Sequence, residues 1–125
     1  MNTSHMTRAM EMAKQSDHRC QIGCIVTNKR GRVIASGYNQ FKTHPLQVRY
    51  AKHNDRSEKI YLHAEISALI RCREEPHTVY IGRIMKNGKA GMCKPCPICE
   101  YAIRKAGVKV IIYTDSTGIE HKIKV

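Results

Sequence analysis

Two short stretches of the sequence carry residue types that could do chemistry: His63-Ala64-Glu65, within YLHAEISALI, and Pro95-Cys96-Pro97-Ile98-Cys99, within CKPCPICEYAI. One imidazole and two thiolates suit zinc, and three protein ligands leave a fourth position open, as catalytic rather than structural sites require. Glu65 stands two residues from His63, where a carboxylate can take a proton from water on the metal and later return it. Each half alone is a weak signal, since H-x-E arises by chance and CxxC also serves structural zinc or a redox pair. Their combination, with a strand between them, is specific. Cys93 forms a second, overlapping CxxC with Cys96. The pair Cys96 and Cys99 is preferred because only it follows Pro95 and opens an apolar helical run, which leaves Cys93 as a spectator or a thiol open to oxidation.

This chemistry dictates where the elements must lie. Residues two apart on a regular helix diverge by roughly 200°, so His63 and Glu65 must sit in a first helical turn, where the backbone is still bending. Cys96 and Cys99 are three apart and share one side of the next helix, also at its start. Two helix openings would then converge, and their positive dipole ends favour thiolate over thiol. The apolar spacing predicts a first helix over 6–15, a hairpin over 20–38 turning at Gly31, and a long polar connection over 39–59 holding a short helix at 46–52. It then predicts a second helix, AEISALIRC, closed by Pro76, and a third strand over 78–85 closed by Asn87-Gly88. A third helix, CEYAIRKAG, ends at Gly107. VKVIIYT and IEHKIKV form the fourth and fifth strands, and the four residues between them cannot hold a crossover helix, so the two are antiparallel neighbours.

A chain of 125 residues fits one domain, 1–125, with residues 1–5 read as frayed or left over from cloning. A hydrophobic fraction of 42% with one Phe and no Trp implies a core of aliphatic side chains. No apolar run approaches the roughly 18 to 20 residues of a membrane span, and no apolar signal segment opens the chain, so a cytoplasmic protein without membrane contact is expected. Cys20, Cys24 and Cys72 read as small buried hydrophobes. His18, His44, His53, His77 and His121 lack ligand spacing and read as solvated, with His44 in the loop that could border a substrate. The formal charge of +12 suits a polyanion or a phosphorylated small molecule, and equally serves solubility alone.

Together the H-x-E and P-C-x-x-C motifs resemble those of the zinc-dependent cytidine and deoxycytidylate deaminases, and the resemblance runs from about Cys20 to Thr114. It implies the α/β, cytidine deaminase-like, three-layer α-β-α fold with a five-stranded mixed sheet. By this resemblance His63, Cys96 and Cys99 are the zinc ligands, Glu65 is the proton shuttle, and Asn39 and Ala64 contact substrate. The reaction implied is hydrolytic deamination releasing ammonia. PCPIC and the Gly37-Tyr38-Asn39 wording are most similar to deoxycytidylate deaminases, while HAEISAL is also similar to tRNA adenosine deaminases. The direct hairpin from strand four to strand five departs from both and resembles free cytidine deaminases, which ligate zinc with three cysteines where this chain has His63. The expected substrate is a cytosine nucleotide or nucleoside, dCMP preferred, because Lys42, Arg49, Lys52 and Arg56 precede the His63 helix and suit a phosphate. The alternatives are a deaminase of tRNA or single-stranded DNA, with nucleic acid as partner, and a non-enzymatic nucleic-acid-binding module with a closed four-ligand zinc site. The resemblance also implies a homo-oligomer.

Overall fold

The computed structural model describes residues 4–53 and 61–125. The chain order is α1 (His5–Ala13), β1 (Gln21–Thr27), β2 (Val33–Tyr38), β3 (Gln40–Thr43), α2 (Pro45–His53), β4 (Tyr61–Leu62), α3 (Ala64–Ile70), β5 (Thr78–Ile84), β6 (Ala90–Gly91), α4 (Pro97–Lys105), β7 (Val110–Thr114) and β8 (Glu120–Lys124). The main sheet runs β2-β1-β5-β7-β8, and β6 adds a sixth strand against the end of β5. Of its ladders only β5–β7 is parallel. As expected, β7 and β8 pair antiparallel across the turn at Gly118.

Alternation along β1 builds the three layers. Ile25 packs with Met6 and Ala9 of α1 on one face, whereas Cys24 and Val26 pack with Ala64 and Ala68 of α3 on the other. Ser4 starts α1, its Oγ accepting from the Thr7 N–H at 3.1 Å. A Cβ at Gly23 would lie 2.0 Å from the Ala9 carbonyl oxygen, so only glycine admits α1 this close to β1. Gly37 does the same for α3, where a Cβ would meet the Ala68 nitrogen at 2.6 Å. Ile103 of α4 joins the core on the α3 side, with Val79, Ile81 and Ile111.

Three expectations are corrected. The polar stretch after Asn39 was expected to lack regular structure apart from 46–52. Instead β3 pairs with β4 in a separate two-stranded sheet, and α2 begins at Pro45, whose fixed φ suits a first helical turn. The rest of that connection, 54–59, lies outside the described residues. The second helix ends at Ile70 rather than running on to Pro76, because the Arg71 and Cys72 amides bond three residues back, to Ala68 and Leu69, and tighten the last turn. The sheet gains β6, too short at two residues to carry a periodic signal. Among the described residues no helix is long and apolar enough to cross a membrane.

Parallel pairing of β5 and β7 positions the chemistry. Helix α3 leads back into β5 and α4 into β7, so both helices begin over the same edge of the sheet, beyond the carboxyl ends of the two strands.

Candidate metal centre and active site

His63 and Cys96 are the N-cap residues of α3 and α4. Both are extended, with φ −78°, ψ 154° and φ −72°, ψ 167°. The cap position resolves the angular conflict in H-x-E, because His63 has left the helix and only Glu65 lies within its first turn. Pro97 at the first turn of α4 fixes the bend after Cys96, and Cys99 follows on the same side, fully buried. The His63 Nδ1 lies 3.2 Å from the Cys99 Sγ and 3.6 Å from the Cys96 Sγ. All three ligand atoms fall within 4.8 Å of one another. Ordinary zinc–sulfur and zinc–nitrogen lengths at tetrahedral angles place such atoms about 3.5 Å apart, so the set fits zinc in both donor type and spacing.

The electrostatics suit a cation. A hydrogen bond from Cys99, aided by His63 and offset by burial, holds the Cys96 thiol down at about 4, while burial pushes Cys99 up. The pair therefore retains one thiolate and one thiol until a metal displaces the proton. Burial pushes the Glu65 carboxyl above its usual range, and the nearby His63 opposes the shift. A carboxyl so placed holds and releases protons nearer neutrality than a solvated one.

Sequence reasoning missed Gln47. It lies on α2, wholly buried, and its Oε1 accepts from the His63 backbone N–H at 3.1 Å. Nothing in its polar neighbourhood signals this, because the role exists only once α2 docks against the start of α3. His18, read as solvated, is half-buried: its Nδ1 accepts from the Cys20 N–H and its ring lies 4.9 Å from that of Phe41. Burial above all, with lesser contributions from Arg19 and His63, lowers its pKa. His77 and His44 are likewise half-buried, their Nδ1 atoms in contact with the Thr78 Oγ1 and the Leu46 N–H, whereas His121 is exposed, as expected, and contacts Asp115 at 2.7 Å. The His53 side chain lies outside the described residues.

Ala64 is buried in the first turn of α3 between His63 and Glu65. The structure places Asn39 at the end of β2 and turns its amide inward: Oδ1 accepts from the Ile22 N–H at 3.0 Å and Nδ2 donates to the Cys20 carbonyl. Cys93 lies apart from the cluster, its thiol directed at the Ile81 carbonyl at 3.0 Å and the Thr114 hydroxyl at 3.2 Å.

Comparison with known proteins agrees with this geometry. Residues 1–115 match the family model of the cytidine and deoxycytidylate deaminase zinc-binding region. The dCMP deaminase of cyanophage S-TIM5 superposes with a TM-score of 0.62 at 23% identity, over 89% of this chain and 79% of that one. A cytidine deaminase from Burkholderia pseudomallei gives 0.67 at 15% identity, over 99% and 93%. A mutant cytidine deaminase from Mycobacterium tuberculosis gives 0.59 at 16% identity, over 90% and 85%. No curated protein matches the sequence.

Proposed function

Because the chain belongs to the cytidine and deoxycytidylate deaminase family, and is thus a zinc-dependent hydrolase, we propose that it deaminates a cytosine nucleotide, with dCMP as the preferred substrate. His63, Cys96 and Cys99 hold the zinc, which when bound supplies a Lewis acid able to bring the pKa of water to about 7. Glu65 takes a proton from the attacking water and delivers it to the ring nitrogen beside the amine-bearing carbon. It then takes the remaining proton from the hydroxyl added to that carbon and gives it to the departing amine, so that the C–O bond formed becomes a carbonyl, the C–N bond breaks and ammonia leaves. The Ala64 backbone N–H, in the first turn where helical amides lack an intrahelical acceptor, is free of that duty and suits the ring carbonyl oxygen. A sugar contact from Asn39 would use the second Nδ2 hydrogen or the second Oδ1 lone pair, since one of each already engages backbone. Gln47 holds the His63 backbone in its extended cap conformation.

The observation that supports a monophosphate is the docking of α2. Through Gln47 this helix abuts the His63 cap, and two residues further on it carries the exposed Arg49, with Lys42 on the preceding strand. Arg56 and the Lys52 side chain lie outside the described residues. Charge-assisted hydrogen bonds to phosphate are among the stronger ones available, so these cations favour dCMP over deoxycytidine. The cyanophage relative has been solved in complex with dCMP and dUMP. Ammonia release from cytidine, deoxycytidine, CMP, dCMP, dCTP, tRNA and single-stranded DNA, each offered separately, tests the reading. We expect kcat/KM for dCMP to exceed that for deoxycytidine by about tenfold or more, the value of one charged contact. Equal values would sink the phosphate argument, and turnover confined to a polynucleotide would replace the substrate. The same reading includes a homo-oligomer, supported by the exposed apolar side chains of Phe41, Met85, Met92 and Ile119.

A further inference from the structure

At the edge of the sheet opposite the metal centre, the chain forms an open cleft of about 1390 Å³. Its walls come from α1 (Arg8), the β1–β2 turn (Lys29, Arg30, Arg32), the connection into β5 (Glu74, Glu75) and the connection into β7 (Lys109). Five side chains there are cationic and two are anionic. Lys29, Arg30 and Arg32 are the closest grouping of basic residues in the sequence, and the deaminase chemistry makes no use of them. The cleft lies beyond the amino ends of β5 and β7, whereas His63 and Cys96 lie beyond the carboxyl ends, so about 20 Å of strand separates the two sites. A mononucleotide in one does not reach the other.

We propose that this cleft binds the phosphate backbone of single-stranded nucleic acid, as a docking site separate from catalysis. Lys29, Arg30 and Arg32 crowd one end of the cleft and Lys109 stands at the other. Arg32 leads into β2 and Lys109 into β7, and the order β2-β1-β5-β7 sets those strands three spacings apart, roughly 14 Å. One phosphate engages one end of such a row, and the compact triphosphate of a nucleotide is too short to engage both. A chain of regularly spaced phosphates matches it. The turn is held in shape beforehand, since the Asn28 Oδ1 accepts from both the Arg30 and Arg32 amides at 3.0 Å and its Nδ2 contacts Glu74 at 3.4 Å. The cleft offers no Phe, Tyr or Trp on which bases could stack. Recognition is therefore electrostatic, indifferent to sequence and steeply dependent on salt.

The test uses the zinc-loaded protein and fluorescein-labelled oligo(dT), with affinity read by anisotropy across a salt series. The triple substitution Arg30→Glu, Arg32→Glu and Lys109→Glu should weaken binding at least about tenfold and flatten the log–log salt slope by about 2, the value of three lost phosphate contacts on a single strand. Lys86→Glu with Lys89→Glu, at the opposite edge of the sheet, should change the slope little. Thermal melting confirms that the variants fold. Should the triple variant fail to fold, Glu74→Gln with Glu75→Gln tests the same cleft in the other direction and should tighten binding. The proposal is overturned by an unchanged affinity in the triple variant, by equal losses at the two edges, by no tightening in the glutamine variant, or by inorganic tripolyphosphate binding the cleft while oligo(dT) does not bind the protein.

Discussion

Glu65 is the side chain on which the proposed proton transfers depend, and it is not a member of the metal-binding cluster. Glu65→Gln keeps its volume and leaves His63, Cys96 and Cys99 untouched, so deaminase activity should fall by two to four orders of magnitude, roughly the worth of a general acid–base group. Zinc content, measured by metal analysis, should stay at one per chain. A variant as active as the parent would remove Glu65 from the mechanism. The two thiols allow a second expectation. With its folded pKa depressed to about 4, Cys96 contributes stability that is present above the ordinary thiol value and is lost as pH falls through about 4. In the zinc-free protein, ultraviolet thiolate absorbance should show one thiol ionising near that pH. The step should vanish in Cys96→Ser and persist in Cys93→Ser, whose thiol is buried elsewhere and is raised. A step surviving in Cys96→Ser would assign the thiolate to another residue. Metal-ligand types at metal-ligand spacing made the His63, Cys96 and Cys99 cluster legible before any coordinates. Gln47 was not legible, because its meaning depends on which helix docks beside it.

The elements that carry the ligands are held by close backbone approach, and glycines mark where. Gly37→Ala would drive a methyl group into the backbone of α3, within 2.6 Å of the Ala68 nitrogen and 2.9 Å of the Ser67 carbonyl carbon. Gly23→Ala would do the same to α1, which carries none of the catalytic set. Both should lower stability in urea unfolding by about 1–3 kcal/mol or more, the ordinary cost of overpacking. Only Gly37→Ala should also lower zinc affinity and activity in the fraction that remains folded, because α3 carries His63 and Glu65. Equal losses of zinc affinity from both substitutions would mean that α3 is not positioned through this contact. The hairpin, the three principal helices and the last strand pair could be read from periodicity and turn residues, since each is long enough for its apolar face to repeat. The strands β3, β4 and β6 could not, because two to four residues complete no pattern and their pairing is a tertiary event.

At the scale of the whole molecule, the exposed apolar side chains predict a homo-oligomer. Light scattering at working concentration should give a mass above the 14.3 kDa of one chain, and a fully active monomer would refute the expectation. The way the ligands are distributed along the chain has a further consequence, for how the protein folds. Cys99 is 36 residues from His63, so an ion that joins them fastens the start of one helix-strand unit to the start of the next. If the unfolded chain loses conformational freedom on such closure as it does with a covalent cross-link, a loop of this length corresponds to about 4 kcal/mol. The ion then acts as a clasp on the α3–β5–α4 segment, and removing it releases that segment first. The β1–β2 hairpin and the α1 packed on it lie outside the clasped loop, so chelation should open the molecule from one side and leave this amino-terminal half as the last part to come apart.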